Sequence, residues 1–228
     1  MKIGILSDAH GNMQYVRKCV DQIEKQGIDK LFFLGDAVGY GSNATQTIDI
    51  LRDAGAHFLL GNHEAMLLGL LPIDRRKNEV YRLNRESFPE KYQKFLNTLI
   101  PFLELTVERK RLLFVHGTPF EPLTGYLYEN SDKSPYKDLQ FDYIFMGHTH
   151  RPYIQKVGKM YLVNVGSCGL PRDVGNLPSF AVFDSQSSEV VLKRVTITRN
   201  EIESAAMDIH IDVRNCLFRN FFGGDLFE

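Results

Sequence analysis

Apolar residues follow two rhythms along this chain, and the rhythm changes near residue 101. Residues 3–6, 31–34 and 57–60 are short runs dominated by apolar side chains. Between them, Met13, Val16, Val20 and Ile23 recur at helical spacing within 12–26, and Ile48, Ile50 and Leu51 do so within 45–54. Gly27 and Gly55 follow, where a helix would stop. Strand, helix, strand, helix, strand implies parallel strands joined by crossover helices. In such sheets ligands bind beyond the carboxyl ends of the strands.

Residues 64–100 read as helical. Ser87 to Glu90 has the form of a capping box with Pro89 just inside the helix. Tyr92, Phe95, Leu96 and Leu99 continue at helical spacing until Pro101. From Leu103 the period falls to two. Residues 103–107 with 112–116, 153–157 with 160–165, and 180–184 with 190–195 predict three hairpins, and 141–146 predicts a further strand. Val213, Leu217 and Phe221, four apart, predict one amphipathic C-terminal helix packed on the body. A contact there with a second copy, making a homo-oligomer, is the lesser expectation. No repeat, linker or low-complexity segment interrupts the chain. Residues 1–228 therefore read as a single domain, α/β at the start and β-rich at the finish, with a helical insert at about 64–100.

Composition narrows the partners. With 27 basic and 28 acidic residues the net charge is −1, which argues against binding driven by bulk nucleic-acid electrostatics. No run of 18 apolar residues exists, so no membrane-spanning helix is expected. Cys19, Cys168 and Cys216 are odd in number and far apart, which indicates free thiols and a cytoplasmic setting. The N-terminus lacks the form of a signal peptide.

Five of the seven histidines fall at strand ends: His10, His63, His116, His148 and His150. Asp8, Asp36 and Asn62 occupy the same places, within SDAHGN, LGDAVGYG, LGNHE, FVHGTP and FMGHTHRP. Taken singly, each has an ordinary explanation. A lone histidine is usually a satisfied polar residue, and Asp8, Asp36 or Asn62 could cap a following helix. Five such strings, each with donor atoms beside glycine, need a common cause. Carboxylates, an amide and neutral imidazoles suit manganese, iron, zinc, cobalt or nickel better than calcium or magnesium, with manganese the first expectation. Seven donors exceed one tetrahedral ion and match two ions sharing a carboxylate. His148 and His150 could then serve different ions. Cys168, in NVGSCGLP, reads as a buried inert thiol rather than a ligand.

Asp8-x-His10, Gly35-Asp36, Gly61-Asn62-His63-Glu64, His116 and Gly147-His148-x-His150 together resemble the calcineurin-like metallophosphoesterase superfamily. Residues 164–173, NVGSCGLPRD, resemble a segment of its small bacterial and archaeal phosphoesterases of the YfcE and diadenosine-tetraphosphatase-like type. The resemblance implies two mixed β-sheets packed as a sandwich and flanked by helices, a four-layer α/β/β/α fold. It implies that Asp8, His10, Asp36 and His150 hold one metal. Asp36, Asn62, His116 and His148 would hold the other, with Asp36 bridging. His63 would stand over the phosphate without ligating. The chain departs from the superfamily's phosphoprotein phosphatases: GDAVGYG lacks the arginine that follows their second aspartate. Arg151 and Arg172 are the candidates to replace that clamp.

The expected activity is hydrolysis of a phosphoester or phosphoanhydride of a small, nucleotide-like substrate, by in-line attack of a metal-bridging hydroxide. A wall built by 64–100 would suit a substrate larger than a simple monoester. The competing expectation is a partner-binding scaffold on the same fold; degenerate ligand positions would mark it, and none of the eight positions is missing.

Overall fold

The computed structural model describes residues 1–73 and 78–220. Residues 74–77 of the expected insert, and Phe221 in the tail, lie outside the described residues. The strands are β1 (Lys2–Leu6), β2 (Lys30–Phe33), β3 (Ala56–Phe58), β4 (Phe102–Val107), β5 (Lys110–Val115), β6 (Tyr143–Met146), β7 (Tyr153–Val157), β8 (Met160–Asn164), β9 (Ser179–Asp184) and β10 (Glu189–Arg194). The helices are α1 (Met13–Glu24), α2 (Ala44–Asp53), α3 (Asn62–Leu67), α4 (Asn78–Tyr81), α5 (Glu90–Leu96), α6 (Arg199–Asp208) and α7 (Ile211–Arg214). No helix of the described residues is long and apolar enough to cross a membrane.

Two mixed five-stranded sheets form the body, in the orders β10-β9-β1-β2-β3 and β4-β5-β6-β8-β7. β1, β2 and β3 run parallel, as the alternating pattern predicts, and β9 joins β1 antiparallel. In the second sheet β5, β6 and β8 are parallel, with β4 and β7 antiparallel at the edges. β1 and β2 are buried on both faces, which explains their unbroken apolar runs.

The sheets meet through Ile3, Ile5, Phe32 and Leu34 on one side and Phe114, Phe145 and Val163 on the other. Outside the first sheet, α1, α2 and α6 bury Val16, Ile23, Ile48, Leu51 and Ile202. The fourth layer is thin. Leu127 and Tyr136, from the segment 117–142 with its one helical turn at Ser134–Tyr136, cover Leu113, Ile144 and Leu162.

Four expectations need correction. Residues 64–100 are not continuously helical: α3, α4 and α5 are short and separated by turns. Ser87 does not cap α5. Its hydroxyl donates to the Asn84 carbonyl, and Pro89 stands at the cap one residue before the helix. The tail is not one amphipathic helix. α6 and α7 are followed by a helical turn at Asn215–Phe218, where Leu217 is buried but Val213 only partly so. The β4–β5 turn is also tighter than the four-residue loop Glu-Arg-Lys-Arg suggests. Only Glu108 and Arg109 form it, both at positive φ (48° and 67°), the two-residue turn whose twist matches the strands.

Candidate metal centre

The carboxyl ends of the parallel strands in both sheets point to one place. β1 delivers Asp8 and His10, β2 Asp36, β3 Asn62 and His63, β5 His116, and β6 His148 and His150. Asp8, His10, Asp36, His63, His116, His148 and His150 are all buried, and Asn62 is half-buried. Asp8, His10, Asp36, His148 and His150 all lie at positive φ, between 50° and 63°. Left-handed backbone is unfavourable for residues with a Cβ, though Asp and His tolerate it better than most. It turns the chain sharply enough to aim successive side chains inward. At Gly61 and Gly147 a Cβ would strike the Asp36 and Asp8 carboxylates, so the bare backbone lets the loops close around the centre.

The donors fall into overlapping groups that could hold a metal: Asp8, His10 and His150; His10, Asp36 and His63; Asp36, His116 and His148. In the first, His150 Nε2 stands 3.0 Å from His10 Nε2 and 3.2 Å from Asp8 Oδ1. In the last, His116 Nε2 stands 3.1 Å from His148 Nδ1 and 2.9 Å from Asn62 Oδ1. Asp36 Oδ2 lies between them, 3.7 Å from His10 Nε2 and 3.4 Å from His116 Nε2. Thus His148 and His150, one residue apart, face different groups.

Backbone carbonyls fix three of the rings. His10 Nδ1 donates to the Val38 carbonyl at 3.1 Å, His116 Nδ1 to Leu34 at 3.0 Å and His150 Nδ1 to Leu170 at 2.6 Å. With Nδ1 carrying the proton, the Nε2 of a neutral ring turns its lone pair inward. His10 and His150 therefore aim two lone pairs at each other across 3.0 Å. Such an arrangement is repulsive unless a cation lies between the pairs. Asp8 Oδ1, His63 Nδ1 and His148 Nε2 are buried without a hydrogen-bond partner among the described residues. Buried polar atoms are seldom left so. These observations fit divalent ions in the donor set.

Electrostatics agree. Burial alone would raise Asp36, but the surrounding His116 and His63 hold its carboxyl well below the usual range. Burial is likewise outweighed at Asp8, where His150 holds the carboxyl low. Burial pushes His63 down to about 4 and His148 to about 3, so both rings are neutral at pH 7. At His116 burial works downward, yet the adjacent Asp36 carboxylate lifts the ring to about 9.

Residues outside the expected ligand set also shape the site. Glu64 is buried and accepts from the N–H groups of Asp36 (2.7 Å), Ala37 (2.7 Å), Val38 (3.1 Å) and Gly61 (3.0 Å). Burial and then Asp36 push its carboxyl up to about 7, but four converging donors favour the charged form. Tyr40 and Tyr81 pack on His63 at ring distances of 4.8 and 4.9 Å, so the 64–100 segment contributes one ring, Tyr81, beside the site. Tyr126 packs on His148 at 4.0 Å. Ordinary tyrosines give no sequence signal; only Tyr40, inside the glycine-bracketed VGYG, had a local cue.

Asn12, not Asp8, caps α1. Asp36 does meet α3, accepting from His63 N at 2.9 Å through Oδ1, while Oδ2 faces the centre. Residues 164–173 act as a brace: Ser167 Oγ donates to the Asp8 carbonyl, and Cys168 N donates to the Ser7 carbonyl. The Cys168 thiol is fully buried, and burial pushes it well up. Arg172 N donates to the His150 carbonyl. Its charge partly offsets the burial that raises both Tyr40 and Tyr126. Arg151 is exposed and lines a neighbouring cleft with Tyr128 and Asp173. His57 stacks on Phe32, and His210 caps α7; neither enters the centre.

Two mixed sheets whose parallel strands end at a shared cluster of Asp, His and Asn donors define a metal-dependent phosphoester hydrolase. The chain belongs to the calcineurin-like phosphoesterase superfamily, whose domain model matches residues 1–188. It is 30% identical over 215 residues to an uncharacterized protein of Methanocaldococcus jannaschii, covering 85% of this chain and 86% of that one. It is 20% identical over 191 residues to a phosphodiesterase of the same organism, covering 83% of this chain and 96% of that one. A hypothetical protein from Pyrococcus horikoshii OT3 shares the fold, with a TM-score of 0.82 at 17% identity, over 95% of this chain and 97% of that one.

Proposed function

We propose that residues 1–228 act as one domain that hydrolyses a phosphoester or phosphoanhydride bond of a small nucleotide-like substrate, using two divalent ions. The observation that carries this reading is the position of Asp36 Oδ2, shared between the His10 and His116 sides of the centre at 3.7 and 3.4 Å. In this reading Asp8, His10, Asp36 and His150 hold one ion, and Asp36, Asn62, His116 and His148 the other. When bound, the ions supply Lewis-acid charge and a water acidic enough to serve as nucleophile near neutral pH. Manganese is the ion we put first, with iron, zinc, cobalt and nickel suited to the same mixed carboxylate, amide and imidazole set.

The chain's own groups do the rest. His63, neutral and walled by Tyr40 and Tyr81, stands beside Asp36 at 3.9 Å and meets the phosphate. A phosphate anion there favours the protonated ring, which stabilises the phosphate oxygens and can protonate the leaving oxygen. Arg172 takes the outer phosphate oxygens. Arg151 meets only a substrate long enough to reach its cleft.

Asp36→Asn, assayed with manganese on p-nitrophenyl phosphate and its bis-ester, should lose turnover about 1000-fold or more, because both halves of the centre lose their shared ligand. His63→Ala should lower kcat about 100-fold while leaving metal stoichiometry near wild type. Full activity in Asp36→Asn would sink the two-ion reading. Equal loss of metal and turnover in His63→Ala would contradict its separate role.

A further inference from the structure

Two tyrosines beside the centre are held in water rather than packed away. Tyr126 lies against the His148 ring at 4.0 Å and is nevertheless 53% exposed. Tyr128 continues outward from it, 6.0 Å away, with the rings only 12° from parallel and Tyr128 38% exposed. Both stand on the loop that follows His116, and that loop is rigidly built. Lys133, only 7% exposed, donates its ammonium protons to the carbonyls of Tyr128, Glu129 (2.6 Å) and Ser131 (2.9 Å). Tyr128 N donates to Ser131 Oγ at 3.0 Å, and Tyr153 Oη donates to the Leu127 carbonyl at 3.0 Å. Burying an ammonium is costly unless its protons are satisfied. Here three carbonyls satisfy it, and the result is a fixed backbone under two exposed rings. Beyond Tyr128 a cleft contains the Arg151 guanidinium. Asp173 in the same cleft is paired with Arg194, and Glu129 also lines it, but neither forms an ion pair with Arg151.

We propose that Tyr126 and Tyr128 form a stacking platform for the nucleobase of a substrate whose phosphate sits at the centre, making nucleoside-bearing phosphoesters the substrate class. The inference rests on the phosphoesterase reading and deepens it. A flat aromatic surface one ring away from His148 suits a planar base joined to the phosphate through a sugar. Every base offers a π-face, so the platform selects for a base without selecting which one. Arg151 then lies where a second anionic group, on a longer substrate, would extend.

The test compares adenosine 5′-monophosphate with ribose 5-phosphate, which differ only in the base, by calorimetry on manganese-loaded protein. The wild type should bind the nucleotide about tenfold or more tightly. Tyr126→Leu and Tyr128→Leu should each cut that ratio, the former to roughly twofold or less. The chain contains no tryptophan, so Tyr126→Trp puts a single indole on the platform. That variant should keep the ratio, and its fluorescence should be quenched by the nucleotide but not by ribose 5-phosphate. Equal affinities in the wild type, or an unchanged ratio in Tyr126→Leu, would overturn the platform and leave the phosphoesterase reading standing. Failure of both ligands to bind would overturn the two together.

Discussion

At the scale of single residues, the centre is a set of groups made uncomfortable. Five donor-bearing residues carry left-handed backbone, each at a cost of about 1 kcal/mol against relaxed backbone. Ring nitrogens confront each other across 3.0 Å, and a buried carboxylate oxygen sits among them without a hydrogen-bond partner among the described residues. His116 is the exception, since Asp36 lifts it to about 9 against the pull of burial. A protonated imidazole cannot ligate, so metal entry must expel that proton. Below pH 9 metal affinity should therefore weaken as pH falls, by up to about tenfold per unit, and binding at pH 7.5 should release about one proton. Calorimetry in buffers of different ionisation enthalpy measures that release. His116→Asn should abolish it.

At the scale of elements, each donor string sits at a strand end and needs its neighbours to hold it there. Glu64, in the first turn of α3, gathers four backbone N–H groups from the loops after β2 and β3. Its removal leaves four buried donors bare. Glu64→Ala should cost about 3 kcal/mol or more in urea unfolding of the metal-free protein. Most strands were legible in the sequence, because parallel strands buried on both faces leave continuous apolar runs and hairpins leave period-two runs. The seven donors were legible because their strings combine a donor atom with glycine at strand ends. Three kinds of feature were not. Between residues 64 and 100, the aromatics Tyr92 and Phe95 pack on the core from a short helix and its flanking turns, so helical spacing overstated helix length. α6 leaves little trace although Thr198 N–H donates to the Glu201 carboxylate at its start, because its buried Ile202, Ala205 and Ala206 make a weak apolar stripe. The left-handed donors and the tyrosine walls depend on contacts between distant segments, which no local pattern encodes.

At the scale of the molecule, two sheets contribute to one centre, so whatever binds there ties them together. If the centre takes two ions as proposed, saturating them at about 100 times their dissociation constants adds roughly 5 kcal/mol, or about 10–20 °C in Tm for a chain of this size. Thermal unfolding with manganese, then with excess chelator, should show that rise and its full reversal. Asp36→Asn should keep less than half of it. The order of strands has a consequence in time as well as in space. Asp8 leaves the ribosome some 140 residues ahead of its partner His150, and the brace from Ser167 follows later still. β1 gains its antiparallel neighbour β9 only when residues 179–184 have emerged. A growing chain therefore exposes half-sets of ligands until those later residues emerge. The intact centre, and with it any choice among competing ions, belongs to the finished protein.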